Sequence, residues 1–258
     1  MVFEKRSSWF FRRIVAGSTL LLAMVVWQYA FAFESQAANI YTKAVQHEKR
    51  LSKDIELDTK RKPADILPFT QIKTGDAVLE LGAGGGYTTE LVSLLVGDTG
   101  KVYAHFLYNK ERLKDNRLPN VIPLREHSLS EHITVLEENN VGPNDLDAII
   151  IFFVLHDIYL NSEMSEQLLT TLYSSLKPGG RLIILDNAAK PDEGLTQIGT
   201  LHRIGENFVK DVFVKAGFVI DQTSDVLRNK ADQHTKPWGD FKGLQDRFAI
   251  RFKKPESL

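Results

Sequence analysis

The feature that most constrains this chain is a run of glycines set between a short apolar segment and a helical stretch, Val78-Leu79-Glu80-Leu81-Gly82-Ala83-Gly84-Gly85-Gly86-Tyr87. Glycine permits positive φ and lets a backbone touch a neighbour or a ligand with no Cβ between them. A strand that feeds such a turn and then a helix is the opening unit of a parallel sheet, because parallel neighbours need a crossover. The chain goes on alternating. Apolar runs at 77–81, 101–107, 121–124, 148–155 and 181–185 are interleaved with helical stretches near 87–95 and 162–176, the second stopped by Lys177-Pro178-Gly179-Gly180. The expected class is α/β, with a doubly wound parallel sheet covered on both faces. The tail differs. A helix over 206–216 ends at Gly217, and residues 218–220 and 247–252 read as strands, the second alternating Phe248, Ile250 and Phe252 with Arg247, Ala249 and Arg251. Period-two patterning there predicts an antiparallel pair closing an otherwise parallel sheet.

Residues 1–37 are expected to stand outside this fold. Lys5, Arg6, Arg12 and Arg13 face the single Glu4, and residues 14–33 then run for 20 positions without a charge. A cationic start followed by an apolar stretch is an export signal. Two readings stay open. Ser35-Gln36-Ala37 offers the small residues a signal peptidase reads, which gives a signal peptide cleaved after Ala37. The other reading is an uncleaved anchor, since such a length spans the roughly 30 Å hydrocarbon layer. Both place the folded part outside the cytoplasm, periplasmic or anchored to the inner membrane, with membrane contact only through this segment. Residues 38–68 read as a helical extension, exposed and free of glycine and proline from Ile40 to Lys60, and 69–258 as the catalytic domain.

With 258 residues and 43% hydrophobic side chains, the chain can bury one sizeable core. A formal net charge of −1 supplies no basic field, so nucleic acid is not an expected partner. The absence of cysteine removes disulfides, thiolate nucleophiles and cysteine-based zinc sites. No metal is expected either: His127 and His132 stand five apart, and His202 has no close partner in sequence.

The glycine spacing is GxGxG, with Tyr87 where a pyrophosphate-binding loop would carry its third glycine. Glu80 at the strand end would repel a pyrophosphate and attract an ammonium, which favours S-adenosylmethionine over a dinucleotide. The chain resembles class I S-adenosylmethionine-dependent methyltransferases and, more narrowly, a group of bacterial predicted methyltransferases. The narrower likeness rests on the 80–87 loop with Arg61-Lys62-Pro63-Ala64-Asp65, Phe153-Val154-Leu155-His156-Asp157 and Leu176-Lys177-Pro178-Gly179-Gly180. It continues through Leu201-His202-Arg203-Ile204, Leu227-Arg228-Asn229 and Asp246-Arg247-Phe248, so it covers residues 61–254. The resemblance implies a Rossmann-like, seven-stranded sheet, mostly parallel with an antiparallel last strand, and S-adenosylmethionine as cofactor. It implies that Gly82, Ala83, Gly84 and Gly86 form the cofactor loop and that Glu80 receives the methionine amino group. One position departs from the pattern: where the family carries an acid for the ribose at the end of the second strand, this chain has His105 or Phe106. Phe106 is taken as the cofactor contact there.

Ligands of open α/β sheets sit beyond the carboxyl ends of the strands, so His156 and Asp157, which close the fourth strand, are catalytic candidates. A neutral histidine can accept the acceptor's proton while a nearby carboxylate fixes its tautomer. The alternative is that the pair caps or packs the next helix. Asp186 and Asn187 end strand five on the same rim. His202, expected to be held neutral by its neighbour, and Arg203 complete the catalytic set, with a plain salt bridge as the alternative for Arg203. Arg228 and Asn229 read as loop anchors. Methyl transfer asks mainly for alignment, so few catalytic residues are needed. The expected function is an S-adenosylmethionine-dependent methyltransferase acting on a small-molecule acceptor. The rival readings on the same fold are a binding or sensor protein and an enzyme of different chemistry.

Overall fold

The structure, a computed structural model, describes residues 40–124, 136, 140–161, 166–241 and 243–256. The apolar N-terminal run, His127 and His132 lie outside the described residues. Residues 40–45 are helical and lead into α1 (Ser52–Ile55), α2 (Asp58–Arg61) and α3 (Pro63–Thr70). The sheet part follows with β1 (Ala77–Leu81), α4 (Tyr87–Val96), β2 (Lys101–Ala104), a 3-10 segment (Lys110–Asn116), β3 (Val121–Pro123) and β4 (Leu146–Phe152). The second half holds α5 (Leu155–Leu160), α6 (Glu166–Ser175), β5 (Leu176–Asn187), α7 (Ile198–Leu201), α8 (Glu206–Lys215), β6 (Val219–Ser224), a 3-10 turn (Trp238–Phe241) and β7 (Arg247–Lys253).

These strands form one seven-stranded sheet in the order β3-β2-β1-β4-β5-β7-β6. The neighbours from β3 to β5 are parallel, and β7 runs antiparallel to both β5 and β6. This is the Rossmann-like architecture with an antiparallel last strand that the sequence pattern led us to expect. Strand order reverses between β1 and β4, and at such a switch point the two crossovers leave on opposite sides and open a crevice at the carboxyl ends.

Alternation along the strands divides the core into two layers. Leu79, Leu81, Ile149, Ile151, Leu182, Ile184, Phe248, Ile250 and Phe252 pack with α5, α6 and α8 on one face. Val78, Ala148, Ile150, Ile183, Leu185 and Ala249 pack with α3 and α4 on the other. Each fully buried Leu, Ile or Phe contributes about 1.5–3 kcal/mol, so the sheet is the principal store of stability. The arginines that alternate with the β7 apolar residues are buried too, beneath the N-terminal helices: Arg251 donates to the Phe69 carbonyl, and Arg247 to the Lys60 carbonyl at 2.9 Å.

Two expectations change. The stretch 40–60 is neither one helix nor exposed throughout, because Ala44, Arg50 and Asp54 are buried. Its charges turn inward to partners, Arg50 to Asp58 and Asp54 to Arg112, each at 2.7 Å. The Lys177-Pro178-Gly179-Gly180 stop is part of β5, where Leu146 pairs with Leu176 and Ala148 with Arg181, so the extra residues are taken up as an irregularity in the ladder. Among the described residues no helix is long and apolar enough to cross a membrane.

Candidate active site

Three strands and two loops bring polar side chains to one rim. β4 ends at Phe152, and Phe153, with φ of 61°, turns the chain sharply into α5, which carries His156 and Asp157 in its first turn. β5 ends in Asp186 and Asn187, and antiparallel β7 begins beside it, pairing Arg247 with Asn187. His202 closes α7 in a left-handed conformation with φ of 51°. A cavity of about 500 Å³ opens between these ends and α2. His156, Asp157 and His202 line it together with Lys60, Arg61 and Arg247, and Trp238 and Gln245.

His156 is the best-organised group in the cavity. Asp186, fully buried, accepts three N–H groups: the His156 amide at 2.9 Å, the Asn187 amide at 2.7 Å and the His156 ring Nδ1 at 2.7 Å. A carboxylate already serving two amides is an acceptor, so the proton sits on Nδ1 and the neutral ring keeps its lone pair on Nε2. Burial works against a charge on His156, yet the charge and hydrogen bond of Asp186 prevail and raise its pKa above the ordinary value. Asp157 was expected to fix this tautomer. The structure gives that task to Asp186, and Asp157 stands at Nε2 instead, 3.4 Å away. Phe152 pairs with Leu185, so the residues just past both strand ends meet.

His202 also reaches Asp157, Nδ1 to Oδ1 at 3.4 Å, and its ring stands edge-on to His156 at 5.5 Å. The ligand atoms of His156, Asp157 and His202 fall within 4.8 Å of one another, so the argument that His202 lacks a partner fails. Two imidazoles and a carboxylate are a donor set that divalent transition ions accept. Arg203 does not join them. It is fully buried and tied to Asp232 at 2.7 Å, to the Ala188 carbonyl at 2.9 Å and to the Lys236 carbonyl at 3.0 Å. Its bonds staple two loops behind the rim, which corrects its placement in the catalytic set. Arg228 and Asn229 bond Asp246 and hold the chain ahead of β7, as anchors should.

The glycine loop follows β1, the neighbour of β4 on the same rim. Ala83 and Gly84 donate to the carbonyls of His105 and Phe106 at 2.8 and 3.0 Å, which locks the loop to the end of β2. A Cβ on Gly82 would meet Val154 Cγ1 at 2.6 Å, and one on Gly86 would meet Arg112 Cδ at 2.4 Å. Of these three only Gly84 is free of a clash, since a Cβ there would make ordinary contact with Tyr108 Cε1 at 3.7 Å. Gly86 caps α4 without a side-chain bond, leaving first-turn N–H groups for a ligand. Glu80 is 3% exposed, accepts the Thr89 hydroxyl at 2.6 Å and is pushed by burial up to about 7. A buried carboxylate short of counter-charge is suited to an incoming ammonium. At the end of β2, His105 is buried whereas Phe106 is 49% exposed in a left-handed conformation. Sequence reasoning had not assigned a site role to Arg61, Arg247, Trp238 or Gln245. Arg61 and Trp238 belong to segments away from the strands, and Gln245 and Arg247 stand at the amino end of antiparallel β7, whereas the sequence pointed to the carboxyl ends of the parallel strands.

No protein-family model matches the sequence. Curated relatives include the ubiquinone/menaquinone biosynthesis C-methyltransferase UbiE of Erwinia tasmaniensis, 31% identical over 150 residues, or 54% of this chain and 56% of that protein. UbiE of Klebsiella pneumoniae subsp. pneumoniae is 30% identical over 174 residues, 64% of each chain. The chain thus spans less than two thirds of the length of these relatives. Among solved structures, a SAM dependent methyltransferase from Aquifex aeolicus superposes with a TM-score of 0.55 at 22% identity, covering 79% of this chain and 97% of that one. The [4+2]-cyclase SpnF superposes with a TM-score of 0.53 at 16% identity, covering 76% and 82%.

Sheet order, glycine loop and relatives point to one class: the chain has the fold of class I S-adenosylmethionine-dependent methyltransferases and is similar in sequence to members of that class over part of its length. Within it, the sequence relatives named above are quinone-biosynthesis C-methyltransferases.

Proposed function

We propose that this protein is an S-adenosylmethionine-dependent methyltransferase whose acceptor is a small molecule seated in the cavity at the ends of β4, β5 and β7. The observation that carries the reading is the joint presence of a buried, undercompensated Glu80 and a left-handed Gly84, with φ of 55°, at the first strand-to-helix turn. Glu80 would receive the ammonium of the methionine moiety, and the loop at Ala83 and Gly84 would bear its backbone, with Phe106 exposed beside it for a flat group. The cofactor's sulfonium supplies an already activated methyl group. The chain has only to align an acceptor and take its proton. His156 Nε2, with its tautomer set by Asp186, is placed to receive that proton as the new bond to the methyl carbon forms.

A base must be neutral to act. With its pKa raised, His156 is protonated at low pH, and turnover should climb with pH to a midpoint above the ordinary histidine value of 6.5. Asp186→Asn should move that midpoint down and lower the plateau. An unshifted pH profile in Asp186→Asn would remove His156 from the mechanism. Cofactor use is tested separately by calorimetric titration of the full-length chain with S-adenosylmethionine and S-adenosylhomocysteine. Binding should be lost in Gly84→Asp and Glu80→Ala, whereas a folded wild-type protein that binds neither ligand rules out methyl transfer. That second outcome would favour another chemistry on this fold, a reading that the missing acid at the end of β2 keeps in view. The N-terminal segment is proposed to export or anchor the domain, and N-terminal sequencing of the protein recovered from cells should find it starting at Ala38 if the segment is cleaved.

A further inference from the structure

The cavity is electrically lopsided. Lys60, Arg61 and Arg247 line it against the single carboxylate of Asp157, which is itself engaged with His156 and His202. Arg247 is 5% exposed and, among the described residues, its side chain donates only to the Lys60 carbonyl and its Nε has no partner. Its guanidinium sits 5.5 Å from the Phe153 ring centroid and has no carboxylate within ion-pair distance among the described residues. Arg61 is likewise without an ion pair among the described residues and stacks 4.5 Å over the Tyr87 ring. Burial, with the neighbouring charge of Arg61 added to it, depresses the Arg247 pKa to about 10. Both groups still carry their charge at neutral pH, close enough to repel one another. By contrast Arg50, Arg112, Arg203 and Arg251, the other buried arginines, each hold a carboxylate.

A buried guanidinium with open donors and a neighbouring like charge is costly unless something arrives to satisfy it. The planar fork of arginine matches one ligand geometry best, a carboxylate bound through two parallel N–H bonds. We infer that Arg247 and Arg61 form a carboxylate-binding subsite in this cavity and that the methyl acceptor is a carboxylic acid, anchored there with its reactive end toward His156. The inference rests on the proposed methyl transfer for the word acceptor; the subsite itself stands on the two arginines. Trp238 and Phe153 in the wall suit an aromatic or unsaturated body between the two ends.

Benzoate is the probe and benzamide its uncharged counterpart, each titrated calorimetrically into the full-length chain with and without S-adenosylhomocysteine. Benzoate should bind and benzamide should not, and Arg247→Gln and Arg61→Gln should each weaken benzoate by roughly tenfold or more, the worth of a charged hydrogen bond. Arg247→Lys, which keeps the charge and loses the fork, should fall between, and circular dichroism confirms that each variant is folded. No preference for benzoate over benzamide, or a preference unchanged in both variants, overturns the subsite. A second source of carboxylate is the cofactor's own methionine end. If the variants lose S-adenosylhomocysteine by the same factor and bound S-adenosylhomocysteine excludes benzoate, the arginines serve the cofactor and the assignment to the acceptor is overturned. Benzoate binding by a wild-type protein that ignores S-adenosylhomocysteine would sink the methyltransferase reading and leave the anion subsite standing.

Discussion

Arg112 and Arg247 occupy opposite ends of the same row of strand ends, and both are buried, at 3% and 5% exposure. Arg112 lies against the glycine loop, where it donates to the Gly85 carbonyl and meets Asp54 and Glu90, each at 2.7 Å, with Arg117 joining Glu90 from the side. Arg247 lies against the cavity and has one backbone carbonyl. Burial is the same and the company differs. The first end of the rim is closed upon itself by its own charges, so Arg112 belongs to the architecture. The second end is left with uncompensated charge facing a void, which is what a binding site has before its ligand arrives.

Removing each arginine tests that contrast most severely. Arg112→Met leaves Asp54 and Glu90 buried without their main cation and should cost about 3–5 kcal/mol in urea unfolding of the full-length chain. Arg247→Met removes a charge that repels Arg61 and has no carboxylate partner among the described residues, so the unliganded protein should change by less than about 1 kcal/mol in either direction. Equal losses in the two variants would break the comparison and make Arg247 a structural residue.

Glu80 sharpens it with a pH dependence. Its carboxyl titrates near its ordinary value of 4.5 in the unfolded chain and about 7 in the folded one. Between those values the folded state holds more protons, so the stability linked to this group is present below the lower value and lost as pH rises through the upper. At about 1.4 kcal/mol per unit the loss is at most about 3 kcal/mol. Glu80→Gln cannot ionise and keeps an acceptor for Thr89. Without ligand it should therefore match wild type near pH 4.5 and exceed it at pH 8, by up to about 3 kcal/mol, while losing the ammonium partner. A variant no more stable than wild type at pH 8 would show that Glu80 is compensated within the fold after all.

How much of this could be read from the amino acids follows from range. The glycine loop, the strand-helix alternation and the antiparallel tail are local patterns, and β1 runs from Ala77 to Leu81 as expected. His156 and Asp157 were placed on the rim because they close a recognisable strand, whereas His202 was read only as part of the long connection before α8. Arg203 was misplaced because adjacency in sequence says nothing about direction: its neighbour His202 adopts a left-handed backbone that turns one side chain to the cavity and leaves the other for Asp232. Asp186 was seen on the rim, but its partnership with His156 depends on the β4–β5 register, which no local pattern encodes. Arg61 and Arg247 are 186 positions apart and meet only because antiparallel β7 brings its first residue to the carboxyl ends of the parallel strands, beside α2. A charge with no counter-charge is a property of the assembled site and has no signature in either segment alone.

The smallest effect separates two uses of glycine within one loop. At Gly82 and Gly86 the missing Cβ is filled by Val154 and by Arg112 with Leu107, so those positions answer to packing. Gly84 has φ of 55°, and a Cβ there would make only ordinary contact with Tyr108, at 3.7 Å. Gly84→Ala should consequently cost only the left-handed conformation, about 1 kcal/mol in urea unfolding, with no clash to add to it. If Gly84 is glycine because a ligand backbone comes close there, the same methyl group should weaken S-adenosylhomocysteine by roughly tenfold or more, a loss out of proportion to the change in stability. Affinity falling no further than stability does would place the cofactor away from Gly84. The glycine-loop end would then be closed by its own packing as firmly as Arg112 is by its own charges.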